Sequence, residues 1–245
     1  MFRSIIARIQ TREAEPFWSL TTAFIFTVAY IIVYIAAQAI AITLTGGNLA
    51  APNLSYLPLG VGIAGLINAA VILRWVAQRA TSAQTLLRLA QTALPTVIIL
   101  LISLASAYLI DLIGVLTRLK SSQIVPPTFE VLRDPNTSFV AWAVAVIVVI
   151  IVQPLGEGLT FHGLFYPALA TRYRSWVAIL GTAALFTLVN LILAGQGGVW
   201  YAALQPFLMM VVVGMVRAYT QSTRAAILAR AMFGLFFVLS ALLLK

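Results

Sequence analysis

Residues 139–169 read FVAWAVAVIVVIIVQPLGEGLTFHGLFYPAL. From Phe139 to Val152 there is no charged or amide side chain, and the first interruptions are Gln153, Pro154, Gly156 and the carboxylate of Glu157. Hydrocarbon offers no partner for backbone N–H and C=O groups, so a run of this kind satisfies them internally and is helical. Strands of a membrane barrel would alternate polar and apolar residues over ~10 positions, and this run does not. The sequence predicts a spanning helix over Phe139–Leu155, followed by a shorter segment, Gly156–Ala170, that carries polar residues and ends at Arg172 and Arg174.

The same reading extends along the chain. Apolar runs of the ~20 residues that a bilayer requires lie at Trp18–Leu44, Tyr56–Trp75, Thr92–Leu116, Trp176–Leu193, Val199–Val216 and Ala225–Leu244. The expected fold is all-α, a polytopic transmembrane bundle of seven or eight helices. Of the 245 residues, 62% are hydrophobic and 9% charged, against about 25% charged in soluble domains. Too few polar side chains remain to cover a water-facing surface. The formal charge of +9 fits loops that orient the protein and meet anionic headgroups, and nucleic acid is not an expected partner. With no Cys and one His, disulfides, thiolate nucleophiles and multi-His zinc sites are excluded. No cofactor is expected.

Three segments are expected. Residues 1–16 form an interfacial, cytoplasmic N-terminal segment, with Arg3, Arg8 and Arg12 between short apolar steps. Residues 17–137 hold the first helices and an outer loop, and 138–245 the remaining helices. Arg74, Arg79 and Arg88 mark the cytoplasmic side. Arg172, Arg174, Arg217 and Arg224 share that side only if Gly156–Ala170 is not an extra crossing. Trp18, Trp75, Trp142, Trp176 and Trp200 fall near span ends, where belt residues sit. Gly195–Gly198 reads as a turn.

Ionisable residues at membrane depth cost on the order of 2.5–3.5 kcal/mol on insertion scales and mark function by default. Two carboxylates qualify, Asp111 and Glu157. Asp111 lies about a turn from its span's end and reads as an interfacial residue near Arg118. Glu157 follows Pro154 and Gly156 and precedes His162, the chain's one histidine.

The stretch Pro154, Glu157, Phe161, Gly163 and Pro167-Ala168-Leu169 resembles the first motif of the CPBP family of intramembrane proteases, the CAAX prenyl protease and bacteriocin-processing group. Phe186-Thr-Leu-Val-Asn190 stands where the family has Phe-x-x-x-His, and Arg230-Ala-Met-Phe-Gly234 where it has His-Ala-x-x-Asn. The resemblance covers about Phe139 to Leu244. It implies an intramembrane endopeptidase in which a Glu, aided by two His and an Asn, activates water. A second Glu pairs with an Arg four residues on, one helical turn along the same face. This chain keeps the first Glu as Glu157. It has Gly158 for the second Glu, His162 for its Arg, Asn190 for the second-motif His, and Arg230 and Gly234 for the last His and Asn.

The site residues are therefore Glu157, His162, Asn190 and Arg230. Because the family's last His faces the catalytic Glu, Arg230 is expected to approach Glu157 and form an ion pair. On an α-helix His162 lies five positions on from Glu157, about 140° around. The bland reading of Asn190 is an interhelical hydrogen bond, and its sharper one an oxyanion donor.

Three functions follow. One is a CPBP-like protein with degenerate motifs that binds a membrane-associated or lipidated peptide, with an immunity-like or scaffold role. The second is an active endopeptidase using Glu157 with His162 and Asn190. The third is a permease-like protein, which lacks the paired broken helices of such folds. Membrane lipids are the expected surroundings, the cell membrane the expected location, and no residue pattern sets an oligomeric state.

Overall fold

The structure, a computed structural model, describes residues 2–10, 15–46, 56–79, 87–89, 94–120, 127–193 and 199–243. The turn expected at Gly195–Gly198 lies outside them. A short helix, α1 (Phe2–Ile9), precedes α2 (Leu20–Leu44), α3 (Tyr56–Ala77) and α4 (Thr96–Leu116). Another short helix, α5 (Pro127–Arg133), leads to α6 (Phe139–Ala170), α7 (Ser175–Leu193), α8 (Trp200–Thr220) and α9 (Thr223–Leu243). Among the described residues there are seven helices long and apolar enough to cross a membrane, and the protein is a multi-pass membrane helix bundle.

The main correction concerns α6. The expected break after Leu155 is absent, and Phe139–Ala170 is one helix of 32 residues. At ~1.5 Å per residue it reaches on the order of 45 Å, more than the ~30 Å hydrocarbon core. Prolines explain both the expectation and its failure. Each lacks an N–H, and its ring clashes with the carbonyl four residues back. Here Pro154, Pro167 and Pro206 each follow wide, π-type turns, at Val148–Val152, Gly158–Phe165 and Trp200–Leu204. Such a turn lets the helix continue past the proline. The carbonyls it releases need other donors, and side chains supply them. Asn190 Nδ2 donates to Ala202 O at 3.0 Å, four residues before Pro206. Arg217 Nε donates to His162 O at 3.2 Å, five residues before Pro167. Elsewhere on α6, Trp18 Nε1 donates to Leu164 O at 2.9 Å.

A single α6 also settles which end the arginines share. Seven crossings place Arg172, Arg174, Arg217 and Arg224 at the same end as Arg8, Arg74 and Arg79. Contacts tie this end together: Arg8 Nε donates to Tyr219 O at 3.1 Å, and Arg88 Nη1 to Gln221 Oε1 at 3.3 Å.

Helix α6 is the centre of the bundle, packed by α2, α3, α7 and α9, and its residues 156–170 are buried without interruption. Small residues let α3 approach it. Gly65 faces the Val152 carbonyl, and Gly156 faces Gly65. Asn68 bonds to Thr160 Oγ1, which in turn donates to Gly156 O at 2.8 Å. Helix α2 is the opposite case. It buries a stripe of Ala23, Thr27, Tyr30, Ala37 and Ala41 and turns Phe24, Ile25 and Ile32 outward, as a helix facing lipid does. Two tryptophans expected in the interfacial belt are instead inside: Trp18 on α6, and Trp200 against Gly114. Asp111 pairs not with Arg118 but with Lys120, at 2.6 Å.

Candidate functional site

Between the two wide turns of α6 lies one stretch of ordinary α-helix, Gln153–Glu157. That places residues 153 and 157 four apart on the same face. Gln153 Nε2 donates to Glu157 Oε1 at 2.7 Å. From α9, Arg230 Nε donates to Glu157 Oε2 at 2.7 Å. Glu157 is 3% exposed and Arg230 8%. The ion pair expected from the motif positions is thus present, and each carboxylate oxygen carries a donor. The Gln153 contact was available from spacing alone but was not read from the sequence.

Two glycines bring α9 this close. A Cβ on Gly234 would collide with the Val149 carbonyl oxygen, and one on Gly158 with Ile227 Cγ1. In the family that the motifs resemble, these positions carry an Asn and a second Glu; here glycines stand where the backbone and side chains of the neighbouring helix have closed in. Phe161, at the motif's aromatic position, is fully buried and meets the rings of Tyr30 at 6.1 Å and Phe186 at 5.1 Å.

The other two sequence candidates sit differently. Asn190 bonds by its amide nitrogen to Ala202 O and Tyr201 O, at 3.0 and 3.5 Å. This is the interhelical bond between α7 and α8, and it occupies the nitrogen that an oxyanion would need. His162 is 1% exposed. Because residues 158–165 are wound with wide turns, the 140° offset of an α-helix does not apply to it. Its ring neighbours Tyr166 at 6.5 Å, and neither ring nitrogen has a hydrogen-bond partner among the described residues. Arg217, expected on the cytoplasmic side, is 1% exposed and lies over the Tyr166 ring at 5.2 Å while holding the His162 carbonyl.

A cavity of about 230 Å³ lies beside the pair, on the side away from the arginine-rich end. Gln153, Asn190, Gln205 and Arg230 give it polar walls; Ala107, Phe186, Met209, Phe233 and Phe237 are among the apolar ones. Arg230 and Asn190 therefore face one space, while His162 and Glu157 are not among its walls. Among the described residues no three His, Cys, Asp or Glu side chains cluster.

Residues 139–236 match a protein-family model described as Rce1-like, type II CAAX prenyl endopeptidase Rce1-like. No curated protein and no solved structure matches the chain.

Proposed function

We propose that this membrane protein, whose residues 139–236 match the Rce1-like, type II CAAX prenyl endopeptidase family model, keeps that family's helical frame without the peptidase chemistry and serves to bind a membrane-associated or lipidated peptide or partner. The observation that carries this is the closed Glu157–Arg230 pair, at 2.7 Å. A general base must reach the proton it abstracts, directly or through one water. Here a guanidinium and an amide each hold one carboxylate oxygen, and Glu157 is not among the walls of the cavity beside it, so a water drawn from that space would meet Arg230 before the carboxylate. The group best placed to orient an oxyanion, Asn190, has its donors on Ala202 and Tyr201.

In this reading residues 138–245 carry the family frame, 17–137 complete the bundle, and 1–16 rest at the cytoplasmic interface of a cell membrane. That orientation puts the arginine-rich end in the cytoplasm, as the distribution of basic residues in loops favours. The opposing reading is an endopeptidase using Glu157 with His162 and Asn190. Purified protein in detergent, tested against a broad set of membrane-embedded and lipidated peptides beside Glu157→Ala, separates the two. No cleavage that depends on Glu157 is the expected result; Glu157-dependent turnover would establish the enzyme.

A further inference from the structure

The cavity beside Arg230 has a chemistry that the ion pair alone does not explain. Arg230 uses its Nε on Glu157. A guanidinium carries four more N–H donors on its two terminal nitrogens, and these make no hydrogen bond among the described residues. Arg230 is also one of the cavity's walls. Beside it, Gln153 donates through Nε2 to Glu157 and Asn190 through Nδ2 to Ala202 and Tyr201, and each retains an amide carbonyl oxygen. The remaining walls are mostly apolar, with Ala107, Phe186, Met209 and Phe233 among them. The space runs from Arg230 to Leu57, Thr128 and Leu193, at the helix ends opposite the arginines.

Charge decides which headgroup fits. Glu157 already neutralises Arg230, so a second carboxylate or a phosphate would place an uncompensated negative charge in the low-dielectric interior of the bundle. A cation would meet donors rather than acceptors on Arg230. An uncharged carbonyl avoids both costs and accepts from the terminal guanidinium nitrogens. The volume, about 230 Å³, holds on the order of eight water- or methylene-sized groups at ~30 Å³ each. We propose that this cavity is a binding site for a short acyl chain bearing an uncharged carbonyl, an acyl ester or acyl amide, entered from the end of the bundle opposite the arginines. The proposal rests on the closed pair of the proposed function.

The test uses the whole purified protein and native mass spectrometry. The probes are methyl octanoate, octanamide, methyl octyl ether and octanoate at equal concentration. One-to-one binding of the ester or the amide is expected, with the ether, which lacks the carbonyl, and octanoate at least tenfold weaker. Comparing ester with amide identifies the source. Ala107→Trp on α4 and Met209→Trp on α8, each checked for folding by thermal unfolding, fill the cavity from two sides and should abolish binding. Ether binding as tight as the ester would overturn the proposal, as would tighter octanoate, or wild-type binding by a folded tryptophan variant. Should neither variant fold, the ester, ether and octanoate series on the unmodified protein decides. Loss of the pair's inactivity would show separately, as cleavage that Glu157→Ala removes.

Discussion

Among the described residues, two carboxylates hold a basic partner at nearly equal distance. Glu157 meets Arg230 at 2.7 Å and Asp111 meets Lys120 at 2.6 Å. The side chains of the inner pair are 4% and 10% exposed, those of the outer pair 20% and 17%. The outer pair joins Asp111, five residues before the end of α4, to Lys120 just beyond the helix, and both side chains are partly open to the surroundings. The inner pair joins α6 to α9 at the centre of the bundle. Similar geometry therefore carries unequal consequences: breaking the buried pair strands a charge in low dielectric, while breaking the partly buried pair near a helix end forfeits an attraction that solvent partly screens.

Substitutions can break or sharpen that contrast. The largest effect belongs to Arg230→Ala, which leaves Glu157 stranded. A loss of about 3–5 kcal/mol is expected, measured by denaturant unfolding in detergent, and a loss below 1 kcal/mol would erase the contrast. Next comes Gly234→Ala, which pushes a methyl group against the Val149 carbonyl and forces α9 away from α6. A cost of about 1–3 kcal/mol is expected from this overpacking. Gly158→Ala should cost less, because its Cβ meets the Ile227 side chain and not backbone; thermal unfolding of the two variants in parallel gives the order. Asn190→Leu leaves the Ala202 carbonyl, freed by Pro206, without its donor. A loss of about 1–2 kcal/mol follows from an unpaired buried acceptor, read as a lower unfolding midpoint. Lys120→Ala should change stability by about 1 kcal/mol or less, and the change should shrink further as salt is raised in the same unfolding assay.

The spans were legible because uninterrupted apolar length is a strong signal, and six of the expected runs end within a few residues of the observed helices. The approach of Arg230 to Glu157 was legible for another reason: Arg230 occupies the position of a residue that faces the glutamate in the resembling family. What was not legible traces largely to the prolines. Pro154 with Gly156 and Glu157 reads as the end of a span, whereas a wide turn before it keeps α6 continuous. Once those turns form, they release carbonyls deep in the bundle, and Asn190 and Arg217 donate to them. No spacing rule connects Trp18 to Leu164 or Arg217 to His162, since those contacts exist only after the helices have packed. The pairing of Asp111 with Lys120 instead of Arg118 depends on a chain reversal after α4, where Lys120 N returns to Gly114 O at 3.0 Å.

The central claim is that Arg230 holds Glu157 in a closed, buried pair, and a double-mutant cycle tests it most directly. Unfolding free energies of the unmodified protein, Glu157→Ala, Arg230→Ala and the double variant are compared in one detergent. If the pair is closed, the double variant is no less stable than Arg230→Ala alone, and the coupling between the sites lies in the upper part of the 0.5–3 kcal/mol seen for contacting residues. If the two losses add within about 0.5 kcal/mol, the carboxylate is not held by Arg230, and the account of an occupied, non-catalytic Glu157 is contradicted.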